Sequence, residues 1–419
     1  MESLYVAMTP ISGPSERLYD RNFLIAFISQ TCFVGANTLM AHYSRWIEFL
    51  GGDLSQVGWI MGICAALGLL LRPTMAGWIN RLGARKTWAF GYTMFAIAAI
   101  GNLWIDDIGW VIYAIRSSQV LGAAIVFASG LTYITQSTPT HRRTEAIGIF
   151  GIGGFLGMLA GPFLGDLFLL ERERANFSML FVVAAAANLI PLIALAFLRP
   201  TESQGIGSSV RVAEFARTIR RHWPGMVVLV DFAFGVCMTA PFVFAASFID
   251  QANLLPEGIS VIGVFFLFYA GVAIVVRLSS RRLPDRIGST RVLYVGIVFM
   301  SLGMFCYGLV DAERWWMIVI PAVLSGVGHS LMFHTMTSLT LQTFPSEVRG
   351  SGSALALMML DLGTIAGAPL LGWVGERYGF TVLFASIGLI CLGAGAIFAA
   401  SNIALAKREL ASTTGAETL

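Results

Sequence analysis

Residues 77–86 read GWINRLGARK, a short polar stretch between two long apolar runs. It gathers Arg81, Arg85 and Lys86 around Gly83, with Asn80 just ahead. A basic turn of this kind belongs where a chain leaves an apolar phase, and the composition says which phase that is. Of 419 residues, 56% are hydrophobic and 12% charged, with a mean hydropathy of +0.75. A soluble domain carries about twice that charge. Crossing a bilayer takes about 20 apolar residues in helical form. Runs of that length lie at 22–49, 56–79, 87–105, 109–136, 144–169 and 177–198, and again at 225–249, 258–280, 291–310, 315–342, 349–374 and 380–405. The expected fold is an all-α membrane protein of twelve transmembrane helices. The start of the chain lacks a short apolar core with a small-residue cleavage site, so the first apolar run is expected to be retained as a span.

The gap between the sixth and seventh runs opens RPTESQGIGSS, a flexible linker by composition. It continues VRVAEFARTIRRHW, which predicts a basic amphipathic helix on a membrane surface. The expected organisation is an N-terminal half, 1–198, a cytoplasmic linker, 199–224, and a C-terminal half, 225–419. Lys and Arg side chains concentrate in cytoplasmic loops. With the N-terminus inside, the inner segments hold 19 of these residues and the outer loops 5, namely Arg45, Arg172, Arg174, Arg314 and Arg377. Both termini are therefore expected in the cytoplasm.

An internal repeat ties the halves together. RPTMAGWINRLGARK (72–86) aligns with RLSSRRLPDRIGSTR (277–291) at an offset of 205. Arg72 falls on Arg277, Arg81 on Arg286, Gly83 on Gly288 and Lys86 on Arg291, while Asn80 falls on Asp285. AGPFLG (160–165) pairs with GAPLLG (367–372) at an offset of 207. Duplicated six-helix halves related by an axis along the membrane normal place a binding cavity between them near the midplane.

These motifs resemble those of the major facilitator superfamily of secondary transporters, over about residues 15–410. The family's loop between spans two and three, G-x-x-x-D-R-x-G-x-R-[RK], is matched by Asn80, Arg81, Gly83, Arg85 and Lys86, with Asn in place of Asp and Gly77 one place late. The fourth-span pattern R-x-x-Q-G-x-G is similar to RSSQVLG, where Arg116, Gln119 and Gly122 stand. The fifth-span pattern G-x-x-x-G-P-x-x-G-G resembles GMLAGPFLGD, with Gly157, Gly161, Pro162 and Gly165 in place and Asp166 replacing the last glycine. That pattern is associated with proton-coupled exporters. The R-P…N-R-x-G second span and the D-L-G of the eleventh resemble the bacterial sugar- and drug-efflux permease branch. The resemblance implies two pseudo-symmetric six-helix halves and a bacterial inner-membrane location. It also implies that the basic turns latch onto the opposite half, near residue 350 for one and residue 144 for the other. The latch residues are Asn80, Arg81, Gly83, Arg85, Lys86, Asp285, Arg286, Gly288 and Arg291.

Side-chain chemistry supplies the remaining candidates. Gly153, Gly157, Gly161 and Gly165 recur every fourth residue, so one face of the fifth span admits a close neighbour. Pro162 removes a backbone bond and should bend that helix, and the face is expected to seal the cavity at the seam between halves. Arg116, about six residues into its span, costs about 2.5–3.5 kcal/mol to insert unless it meets a partner or water. Gln119 shares its face, and the family resemblance implies a role in proton coupling or anion binding. Asp361, about twelve residues into the eleventh span, is a proton-site candidate because desolvation disfavours its charged form. Asp231 in the seventh span is a second. His329 and His334 stand five apart, where a metal pair prefers three or four, so they read as core or cavity histidines. Gln30, Asn37, Tyr133, Phe265 and Tyr269 are further cavity candidates, with Trp59 and Phe127 as possible lining aromatics. The five cysteines (Cys32, Cys64, Cys237, Cys306 and Cys391) all lie in apolar runs and read as core residues.

No nucleotide-binding G-x-x-x-x-G-K-[ST] and no catalytic constellation is present, so neither an ATP-driven pump nor an enzyme is expected, and no cofactor or metal. The expectation is a monomeric secondary transporter in the lipid bilayer, exporting a small-molecule substrate in exchange for protons, with no nucleic-acid partner. Proton-coupled uptake of an organic anion or sugar is the alternative, and a non-transporting receptor on the same fold a distant one. Asn80 brings no negative charge to a helix N-terminus, so the N-terminal latch should be the weaker. Asn80→Asp should shift the population toward the cytoplasm-closed state. Spin-label distances across the cytoplasmic face that do not change would refute this.

Overall fold

The computed structural model describes residues 19–138, 142–169, 172–200, 212–254, 256, 258–280, 282–345 and 348–416. The side chains at 71–74, 76–77, 80, 143–144, 212–213, 285, 349–350 and 408–416 fall outside that description. Among the described residues there are helices and no strands. Twelve long helical segments lie at the positions of the twelve apolar runs. They are α1 (Arg21–Phe49), α2 (Leu54–Leu82), α3 (Ala84–Gly101), α4 (Trp110–Ser137), α5 (Arg143–Phe168) and α6 (Arg174–Phe197), then α7 (Val227–Gln251), α8 (Val261–Ser279), α9 (Ser289–Leu309), α10 (Trp315–Gln342), α11 (Arg349–Tyr378) and α12 (Phe380–Ala416). Ten are long and apolar enough to cross a membrane. The other two, α2 and α3, carry Arg81, Arg85 and Lys86 where they meet.

Local chemistry sets several boundaries. Asp20 caps α1 by accepting from Phe23 N at 2.8 Å. Asp53 and Gln56 form a reciprocal capping box at the start of α2. Gly83 ends α2 at φ 83°, ψ 150°, and Gly288 takes nearly the same conformation at φ 90°, ψ 139°. Only glycine adopts this region without strain, so the repeat seen in the sequence is a repeat of backbone geometry. Pro284 makes the difference between the two copies. Here α8 stops at Ser279, and a separate short helix, Leu283–Ile287, carries the chain to the turn. The amphipathic helix of the linker is present at Val212–Arg221. Its Ile219 packs on Val228, Phe344 and Leu355 of the second half. The two turns and this helix mark what we call the basic end of the bundle, and the opposite end is the far end.

The glycine face of α5 meets α1 of its own half, and not the seam between halves. A Cβ on Gly157 would fall 2.6 Å from Gly35 N and Thr31 O. One on Gly161 would collide with Thr38 Oγ1. This corrects the expectation that the stripe seals the seam. The stripe instead locks two helices of one half together at backbone distance. The α5 helix runs on through Pro162. The seams are formed by α2 with α11 and α5 with α8. On the first, Gly58 lies against the Ala368 carbonyl, Gly62 against Pro369 and Gly372 against the Leu54 carbonyl. On the second, Phe163 packs on Gly263 and the Arg277 guanidinium on Gly151.

Gly161→Ala should lower the thermal unfolding midpoint, by the equivalent of about 1–3 kcal/mol typical of overpacking. Gly148→Ala, where the added carbon meets nothing within 4 Å, should leave it unchanged. Equal midpoints for the two variants would contradict the close α1–α5 contact.

Candidate functional site

At the far end the halves are joined by charge. Arg45, 3% exposed near the end of α1, grips Asp250 of α7 through Nε to Oδ2 at 2.8 Å and Nη2 to Oδ1 at 2.9 Å. Its Nη1 donates to Asp166 of α5 and, at 2.8 Å, to His42 Nδ1. Ser260 Oγ donates to the second oxygen of Asp166 at 2.7 Å, and Arg172 adds a donor to Asp250. All four carboxylate oxygens are therefore paired, and two arginines balance two aspartates. Arginine can only donate and the Pro162 carbonyl, 3.0 Å from His42 Nε2, can only accept. His42 is thus the neutral tautomer with its proton on Nε2. Gln251 donates to Glu48 beside the cluster at 3.2 Å, and Leu54 N donates to Glu376 Oε2 at 3.1 Å.

Arg45 and Asp250 are separated by 205 positions, the repeat offset. They are the same place in the two halves, so the pseudo-twofold axis passes between them. Sequence reasoning assigned Arg45 to an outer loop and overlooked Asp250. Comparing the halves at that offset would have found an opposite-charge pair on the axis.

Nearer the middle of the bundle, aromatic rings converge on His329 of α10. Tyr269 Oη lies 2.5 Å from His329 Nδ1. The rings of Phe234 and Phe155 approach it edge-on, with centroids at 5.1 Å and 5.5 Å. Phe155 comes from α5, so this cluster also spans both halves. Arg277 holds its Cζ 5.7 Å from the Phe155 centroid.

The three coupling candidates stand apart. Arg116 is buried and donates to Gln119 Oε1 at 2.7 Å, so that pair shares a face as expected. Its guanidinium sits 4.4 Å from the centroid of Tyr43, two residues before Arg45. Asp231 is buried within the second half and accepts from Thr340 Oγ1 at 2.8 Å. Asp361 is half-buried on α11, next to Leu360, whose carbonyl packs on Gly235 of α7. Of the cavity candidates, Tyr269 and His329 are joined, and His334 is exposed beside Phe333. Gln30 is buried and Asn37 half-buried on α1. Tyr133 and Phe265 are core residues. The first is buried against Trp88 with its hydroxyl donating to Arg199 O at 3.3 Å, and the second stacks on Tyr269. Trp59 and Phe127 are exposed.

Arg85 Nη1 donates to Leu198 O at 2.7 Å, tying the turn to the end of α6 in its own half. Arg81, Lys86, Arg286 and Arg291 are exposed. The side chains of Asn80 and Asp285 lie outside the described residues. Near residue 144, Glu145 accepts from Arg142 at 2.9 Å and from Tyr19 Oη at 2.9 Å. The carboxylate beside Tyr19 pushes its phenol above the usual range.

The family model described as Major Facilitator Superfamily matches residues 22–312 and 282–415. YfkF of Bacillus subtilis (strain 168), named an uncharacterized MFS-type transporter, is 22% identical over 77% of this chain and 80% of its own length. MdtD of Enterobacter sp. (strain 638), provisionally named a multidrug resistance protein, is 23% identical over 73% of this chain and 75% of its own. Among solved structures, a variant of the nucleoside transporter NupG superposes with a TM-score of 0.75 at 14% identity, covering 90% of this chain and 98% of that one. A POT family transporter bound to a thioalcohol-conjugated peptide gives 0.74 at 13%, covering 90% and 94%. At such identities these likenesses speak for the fold. With the family model spanning nearly the whole helical bundle, the chain belongs to the Major Facilitator Superfamily.

Proposed function

We propose that this membrane transporter exports a small solute in exchange for protons, by alternating access between halves 1–198 and 225–419. On this reading the basic end is cytoplasmic, both termini lie inside the cell, and the protein works as a monomer in the plasma membrane. The observation that carries the proposal is the position of the charged bridge. Repeat-related residues close the bundle at the far end, while Arg81, Lys86, Arg286 and Arg291 of the basic-end turns are exposed. Two packed bodies tied at one end are what a rocking mechanism requires of one of its two states.

In the proposed cycle solute enters from the cytoplasm and meets the central cluster around His329. Release to the outside needs Arg45 to leave Asp250 of the other half for water, while it keeps Asp166 of its own half. Protons arriving from outside are taken up on a carboxyl, half-buried Asp361 or buried Asp231, with Arg116 responding through its contact with Tyr43. Reorientation then carries the proton inward. The direction rests on the fifth-span motif and on the provisional name of the MdtD relative. The latch residues Asn80 to Lys86 and Asp285 to Arg291 would engage only when the basic end closes, which fits the exposure of Arg81, Lys86, Arg286 and Arg291 here.

Proteoliposomes with an imposed pH gradient test this reading. An acidic lumen should drive solute into the vesicle as protons leave. Accumulation with an acidic exterior instead would establish symport and end the export reading. Asp361→Asn and Arg116→Ala should each reduce gradient-driven accumulation to the level of protein-free liposomes while counterflow exchange persists. Full accumulation by both variants would remove these residues from the coupling path.

A further inference from the structure

Arg277 has no acid. The guanidinium is half-buried in the last turn of α8. Among the described residues it makes neither an ion pair nor a hydrogen bond, and its close neighbours are Gly151 and the Phe155 ring of the opposite half. A lone cation this near a membrane surface ordinarily turns its head to the headgroups and water. Helical side chains point toward their own N-terminus, which for α8 means toward the middle of the bundle, and Arg277 follows that direction to reach Phe155. Gly151 leaves it the room. An ionisable group inside a membrane bundle marks a functional position by default, with a partner to be named. Of the other arginines deep in the bundle, Arg45 has its carboxylates and Arg116 the Gln119 amide oxygen; among the described residues Arg277 has neither.

The surroundings define the missing partner. The Phe155 ring that Arg277 approaches also packs edge-on against His329. His329 holds the Tyr269 hydroxyl at 2.5 Å, and the rings of Phe155 and Phe333 neighbour it, at 5.5 Å and 6.0 Å between centroids. His334 is exposed, and Arg277 and His329 are half-buried. A guanidinium fork offers paired N–H donors that match a carboxylate or sulfonate. Aromatic edges and faces beside it suit a planar apolar body. A cationic solute would meet like charge in a low-dielectric site, with no acid among the described neighbours to offset it.

We propose that the cargo is an aromatic organic anion, its acid group held by Arg277 and its ring lodged against Phe155 and Phe333. This names the substrate class of the central site and rests on reading the chain as a transporter loaded from the basic end. Because Phe155 belongs to the first half and Arg277 to the second, one bound anion touches both bodies. Its presence would thereby report on whether they are together.

Binding to purified full-length protein in detergent, measured by isothermal titration calorimetry, tests this without any gradient. The probes are benzoate and naphthoate, with phenyltrimethylammonium as the cationic match. The expected result is binding of the two anions, tighter for naphthoate, with no heat from the cation. Arg277→Gln should weaken naphthoate by roughly 10- to 100-fold, the usual worth of a hydrogen bond to a charged group. Arg277→Lys, which keeps charge without the fork, should lose less and serves as the folding control. Undiminished binding by Arg277→Gln, preference for the cation, or no binding of either anion would each overturn the proposal. Failure of pH-driven flux alongside intact anion binding would count against proton coupling and leave this site standing.

Discussion

The structure hangs on Arg45. One guanidinium at the pseudo-twofold axis is held bidentately by Asp250 of the second half and also by Asp166 of the first. Burying such a group confers little net stability, because desolvation offsets most of the attraction. Its effect is conditional. With the halves apart at this end, water can satisfy each charge separately; with them together, only this partner set does. Taking away one member while the rest stay buried costs about 3–5 kcal/mol. The bridge therefore acts as a switch with two satisfied positions, closed on protein and open on water. His42 makes it directional, because its neutral ring ties Arg45 to the Pro162 carbonyl in the α5 backbone.

Around that switch the halves are stiff within and smooth between. Inside the first half, Gly157 and Gly161 bring α5 to backbone distance from α1. Inside the second, Gly363 and Gly235 do the same for α11 and α7. Between halves, small residues on α2 and α11 let the surfaces meet without interlocking side chains. Bodies of this kind can move as units. The aromatic cluster at His329 lies where they face each other, with Phe155 crossing from one to the other.

Much of this fold was legible in the sequence for a plain reason. Twelve apolar runs of bilayer length leave the backbone no alternative to helix, and Gly83 and Gly288 announce the repeat because each needs a positive φ. Residues bonded to a near sequence neighbour were also readable, as with Arg116 and Gln119. What escaped was anything decided by contacts between distant helices. Arg45 looked like a loop residue from its place near the end of an apolar run, and only the arrival of Asp250 and Asp166 explains its burial. The glycine face of α5 was recognised, but which helix it meets is a matter of packing. Arg277 was noted only as a repeat partner of Arg72. Its importance comes from Gly151 and Phe155, more than a hundred residues earlier in the chain.

The central claim is that the charged bridge at the axis decides which end of the bundle is shut. Double electron–electron resonance measures it directly, with spin labels at the exposed, repeat-related far-end positions Asp107 and Ala312 and a second pair at Arg81 and Arg286 on the basic end. Arg45→Gln should lengthen the far-end distance and shorten the basic-end distance together, while Arg314→Gln, an exposed far-end arginine outside the bridge, should change neither. Distance distributions in Arg45→Gln identical to those of the parent protein would contradict the account.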